Sequence, residues 1–111
     1  MKLQLTPDAL RLRLSEAEVQ EFAQAGQLTH TLAFGPGPGQ ALRYALRRLP
    51  ATDPASALRA HYASGALVVE VPAALAHSWA TTANIALKGV VLMAENQELR
   101  ILVEKDLGPS H

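Results

Sequence analysis

The chain has 111 residues, ten basic and ten acidic, and no cysteine. A chain of that length makes one domain and can hide roughly two thirds of its unfolded surface, enough for a core without staples. The missing cysteine excludes disulfide scaffolds, thiolate metal sites and cysteine nucleophiles, and the balanced charge gives no global field to draw in nucleic acid or a membrane.

Leu3 and Leu5 alternate with polar neighbours, and Thr6-Pro7-Asp8 turns the chain. Leu10, Leu12 and Leu14 alternate with Arg11 and Arg13, the period of a half-buried strand. Ser15 and Glu18 form a capping box that opens a helix. Val19, Phe22 and Ala23 give it an apolar stripe, and Gly26 ends it. A strand follows with Leu28, His30, Leu32 and Phe34 on one face. Gly35-Pro36-Gly37-Pro38-Gly39 is a hairpin loop rather than a phosphate cradle, because two of its five residues have no amide hydrogen and a strand follows. The next strand alternates Leu42, Tyr44 and Leu46 with Arg43, Ala45 and Arg47, and residues 50–57 are a linker by composition.

The second half repeats the order. Leu58, Ala60 and Tyr62 precede a Ser64-Gly65 turn, and Leu67, Val69 and Val71 form a strand. Pro72 suits the first helical position. Ala76, Trp79 and Ala80 form the inward stripe, and strands over 85–93 and 97–105 meet at Ala94-Glu95-Asn96. The tail over 108–111 is expected to fray. A shift of 57 positions sets Leu12 on Val69, Leu14 on Val71, Phe22 on Trp79 and Leu46 on Val103, with no gap from residue 9 to residue 48. The expected fold is therefore α+β. It is a mostly antiparallel sheet or partly closed barrel with two helices, built from two β-β-α-β-β copies (about 3–49 and 58–106) related by an approximate twofold. Each copy is too small to hold a core alone.

Leu10-Arg11-Leu12-Arg13-Leu14, Phe34-Gly35, Leu42-x-Tyr44-x-Leu46, Trp79-Ala80-x-Thr82 and the run from Leu99 to Asp106 resemble a family of small bacterial proteins of unknown function. The resemblance covers most of the chain. It implies a bacterial cytosolic domain and no activity.

Three constellations are candidates for function. His30 has the parity of the inward face and, with the hairpin centred on Gly37, lies across from Tyr44, where the second copy has Leu87 and Ile101. The pair is either a structural contact or the wall of a site for a small polar ligand. Arg11, Arg13, Arg43 and Arg47 share the outward parity and make a candidate anion site, weighed against a solvated sheet face. Val68, Val90, Leu92 and Leu102 have that same parity in the second copy, and Val90-Val91-Leu92-Met93 is apolar on both faces. A one-sided sheet should not show this, so these residues are the candidate interface.

The four histidines lack metal-ligand spacing, and no nucleophile elbow is present. No apolar run nears the ~20 residues that span a bilayer, and residues 1–7 lack the apolar run of a secretion signal. The expectation is a cytoplasmic structural or interaction protein that self-associates, with a homodimer or a protein partner, no cofactor, no metal and no membrane; nucleic acid is the weakest of the binding partners considered for the arginine face. A binding module for a small polar ligand or an anion is the alternative, and an enzyme is the third reading.

Overall fold

The structure is a computed structural model that describes residues 1–106. Its elements are β1 (Lys2–Thr6), β2 (Ala9–Leu14), α1 (Glu16–Ala25), β3 (Gln27–Ala33), β4 (Ala41–Arg48), β5 (Arg59–Ala63), β6 (Ala66–Val71), α2 (Ala73–Thr81), β7 (Ala86–Ala94) and β8 (Gln97–Lys105). The order is β-β-α-β-β twice, an α+β fold. The tail over 108–111 lies outside the described residues. Among those described, no helix is long and apolar enough to cross a membrane.

The two helices are secured differently. In α1 the Ser15 hydroxyl accepts from the Glu18 amide at 3.2 Å and the Glu18 carboxylate accepts from the Ser15 amide at 2.9 Å, which satisfies two amides that the first turn leaves orphaned. Gly26, at φ 78°, takes the left-handed conformation that closes the other end, and its amide donates to the Phe22 carbonyl. Helix α2 has no side-chain N-cap. Pro72 sits at the N-cap itself with ψ 143°, one place before its expected position inside the helix. Its last turn is closed instead by threonine hydroxyls, Thr81 donating to the His77 carbonyl and Thr82 to the Ser78 carbonyl.

The pairing of strands exchanges material between the halves. One sheet has the order β1-β2-β8-β7 and the other β3-β4-β6-β5. Each consists of two antiparallel hairpins, one from each half, joined by a central parallel pair, β2 with β8 and β4 with β6. The mostly antiparallel system expected from sequence takes the form of two mixed sheets, each with two antiparallel pairs around one parallel pair, and they do not close into a barrel. Leu12 pairs with Val103 in the first sheet, and Val69 with Leu46 in the second. Those two pairs are the same pair under the 57-residue shift.

The shift fails at one strand. His30 faces Tyr44 across β3–β4, as the parity predicts. In β7–β8, however, Leu87 faces Val103, and Ile101 faces Gly89. Strand β7 is therefore displaced by two residues relative to the ungapped alignment. The connector after α2 is longer than the lone Gly26 after α1, and the β7–β8 turn is shorter than the loop of β3–β4. The residue standing where His30 stands is Gly89 and not Leu87. A Cβ there would come within 3.0 Å of the Leu58 side chain, so glycine is what lets the end of the linker pack against β7.

Both halves share one core. Leu10, Leu12, Leu14, Val19 and Phe22 from the first half meet Val69, Val71, Ala76, Trp79, Ile101 and Val103 from the second. Phe22 and Trp79, equivalent under the shift, meet edge to face with ring centroids 6.2 Å apart where α1 crosses α2. The helices thus close one end of the molecule. At the other end, that of the hairpin turns, the core stays partly open. Leu5, Leu10 and Leu42 and their equivalents Tyr62, Leu67 and Leu99 line an apolar cleft of about 270 Å³.

Candidate functional site

The outward-pointing residues form ladders across each sheet, and the exchange of halves allows the two outer faces to be compared position by position. On the first sheet one row runs Lys2, Arg13, Glu104, Ala86, the next Gln4, Arg11, Leu102, Lys88, and the third Thr6, Ala9, Arg100, Val90. The corresponding rows of the second sheet are Arg59, Glu70, Arg47, Gln27, then His61, Val68, Ala45, Thr29, then Ala63, Ala66, Arg43, Thr31.

In the first row opposite charges face each other across the central pair with reversed polarity: Arg13 is opposite Glu104 in one sheet and Glu70 opposite Arg47 in the other, although only Arg47 and Glu70 bond directly, Glu104 taking Arg11 instead. Glu70 is the more enclosed carboxylate, only 5% exposed although it points outward. Arg47 donates to it, the Arg59 guanidinium lies 3.5 Å away and the His61 imidazole 3.8 Å away, and Asp53 from the linker holds Arg59 at 3.2 Å. A carboxylate is stable in such a place only with cations around it. Sequence parity marks Glu70 as an outward carboxylate and misses its burial. The signal available was the reversal itself, Arg13 over Glu70 and Arg47 over Glu104 at the 57-residue shift.

The four arginines do not form one cluster. Arg11 and Arg13 lie on the first sheet, Arg43 and Arg47 on the second, because each half gives one hairpin to each sheet. Arg11 donates to Glu104, Arg13 lies 3.5 Å from Asp106 and Arg47 donates to Glu70. The hydrogen bond to Glu104 is the main reason that the Arg11 guanidinium is held above its ordinary pKa. The same exchange separates Val68, which lies on the second sheet, from Val90, Leu92 and Leu102 on the first.

His30 and Tyr44 come together as expected, with ring centroids 5.7 Å apart, but at a seam between the sheets rather than in a cavity. The Tyr44 hydroxyl donates to the Met1 carbonyl at 2.8 Å, the Met1 ammonium donates to Glu18, and His30 Nε2 lies 3.6 Å from the same carboxylate. The equivalents of Met1, Glu18, His30 and Tyr44 are Leu58, Leu75, Gly89 and Ile101. One seam is therefore polar and the other apolar. Burial pushes the Glu18 carboxyl up, but the Met1 ammonium and the Ser15 bonds together outweigh it, leaving the pKa below the ordinary 4.5. A carboxylate with a depressed folded pKa contributes stability that is complete above its unfolded value and is lost as pH falls through the folded one. The Tm difference between the native chain and Glu18→Gln should therefore hold from neutral pH down to about 4.5 and shrink below it. A difference independent of pH down to full protonation would detach Glu18 from the seam.

The first sheet's outer face carries a groove of about 640 Å³. Arg11, Lys88, Arg100 and Glu104 line it together with Val90 and Leu102. Val90 is 58% exposed, and Leu92 beside it 68%. The corresponding groove on the second sheet is about 210 Å³. The residues equivalent to Val90, Leu92 and Leu102 there are Thr31, Ala33 and Ala45. Among the described residues, no cluster of three or more His, Asp or Glu could hold a metal ion.

These features define a small α+β protein whose two outer faces are alike in plan and unlike in chemistry. The chain belongs to a family described as a family of unknown function (DUF7009), whose model matches residues 1–108. Neither a curated protein nor a solved structure matches it.

Proposed function

We propose that the protein is an interaction module that pairs with a second copy of itself through the outer face of the β1-β2-β8-β7 sheet. One observation carries this reading. At equivalent positions the second sheet has Thr31, Ala33 and Ala45, as a solvated face should, while the first sheet has Val90, Leu92 and Leu102. Exposed apolar residues grouped around a groove are the mark of a surface that another molecule covers. A twofold pair is the commonest form of self-association. Leu92→Glu should reduce the mass measured by light scattering from two chains to one while leaving the circular dichroism unchanged. A native mass of one chain at all concentrations would sink the reading.

The groove's mixed lining supports a second reading, a binding site for an anion with an apolar body. Thermal shift with a medium-chain carboxylate tests it, the expected result being a stabilisation that Lys88→Glu removes. We place the protein in the bacterial cytoplasm on its composition, and we read the two halves as an internal duplication on their shared ladders. No group is assigned a catalytic role.

A further inference from the structure

This inference rests on the self-association reading and gives it a geometry. We propose that the tip of the β7–β8 hairpin of each copy lies in the outer groove of the first sheet of the other. Between Met93 and Glu98 the chain reads Met-Ala-Glu-Asn-Gln-Glu, with two acids and no base. Leu92 and Met93 at this tip are 68% and 46% exposed. An irregularity between Leu92 and Ala94 breaks the ladder there, and bulges of this kind bend a strand and re-aim its side chains.

The groove has the opposite character. Its charged residues are Arg11, Lys88, Arg100 and Glu104, and Arg11 already holds Glu104. Lys88 and Arg100 remain at its edge. Arg100 reaches Asp8 at 3.1 Å, but both side chains are about two-thirds exposed, and exposed pairs of that kind exchange partners at little cost. An apolar, acidic tip therefore fits an apolar, basic groove, and both belong to one face of one chain. A twofold axis satisfies both at once: each tip enters the other groove and the assembly closes at two copies. The equivalent tip on the second sheet, Phe34-Gly-Pro-Gly-Pro-Gly-Gln40, carries no charge. Its groove is about a third of the volume. The complementarity is a property of the first sheet.

The experiment measures the dimer dissociation constant of the full chain by sedimentation equilibrium. One variant reverses the tip (Glu95→Lys with Glu98→Lys), one reverses the groove edge (Lys88→Glu with Arg100→Glu), and one carries all four changes. Each reversed pair should raise the constant by roughly tenfold or more, and the fourfold variant should return to within about threefold of the native value. A milder pair, Glu95→Gln with Glu98→Gln, should weaken the dimer in the same direction and guards against misfolding of the reversed chains. If the native chain is a dimer but the fourfold variant is as weak as either pair, or neither pair weakens it, the tip-in-groove geometry is overturned and the self-association reading stands. A native chain that is monomeric overturns both. Stabilisation of a monomer by inorganic phosphate, lost in Lys88→Glu, would assign the groove to an anion instead.

Discussion

Replacing Trp79 by alanine is expected to cost about 3–5 kcal/mol of stability, the range for deleting a large buried aromatic. That is a large share of the 5–15 kcal/mol that typically separates folded from unfolded domains. The side chain is fully buried, its indole Nε1–H donates to the Ile85 carbonyl at 2.9 Å, and its ring meets Phe22 edge to face. Removing it opens a cavity where α1 meets α2 and leaves the start of β7 without its anchor. Because Phe22 and Trp79 are the helical contact between the halves, both should lose structure together. A single urea transition shifted to lower denaturant, seen alike by far-ultraviolet dichroism and by amide signals from β2 and β6, is the expected result. Two separated transitions would mean that the halves fold independently.

The second large effect is expected at Glu70. Glu70→Ala leaves Arg47, Arg59 and His61 facing one another over a vacated site. Truncating one member of a fully buried ion pair costs about 3–5 kcal/mol. Arg47 is half exposed, so a loss of about 1–3 kcal/mol is expected here. The reversal Arg47→Glu with Glu70→Arg reproduces the polarity of Arg13 and Glu104 on the other sheet. It should recover part of the loss and not all of it, since Arg59 and His61 would then face a cation. Chemical denaturation of the single and double variants measures this. A double variant weaker than Glu70→Ala would show that the two sheets are not interchangeable at this row.

The local features of the fold were legible because their causes are local. Ser15 and Glu18 are three residues apart and cap a helix in any context. The alternation of Leu10, Leu12 and Leu14 marks a face of a strand whatever its partner. The partners themselves were not legible. Parity tells which side chains point inward but not whether β2 lies beside β4 or β8, and the parallel β2–β8 pair joins residues at opposite ends of the chain. The displacement of β7 was hidden for a related reason: a shift of two preserves parity, so Leu87 and Gly89 are equally good partners for Ile101 on pattern alone. At the site, the contact of His30 with Tyr44 followed from hairpin geometry, and the apolar run from Val90 to Met93 was visible directly. The grouping of four arginines failed because it assumed one sheet. The burial of Glu70 was missed because its cover comes from Arg47 and Arg59 on the strands beside it rather than from its own strand's pattern.

The most direct test of the central claim, that one outer face and not its equivalent is the surface of association, is the change in backbone amide shifts as the protein is diluted through its dissociation range. Shifts are expected at Val90, Leu92, Glu98, Arg100 and Leu102, and none at the equivalent Thr31, Ala33, Ala41, Arg43 and Ala45. Shifts confined to the second set, or a spectrum unchanged by dilution of a chain that is monomeric throughout, would contradict the claim.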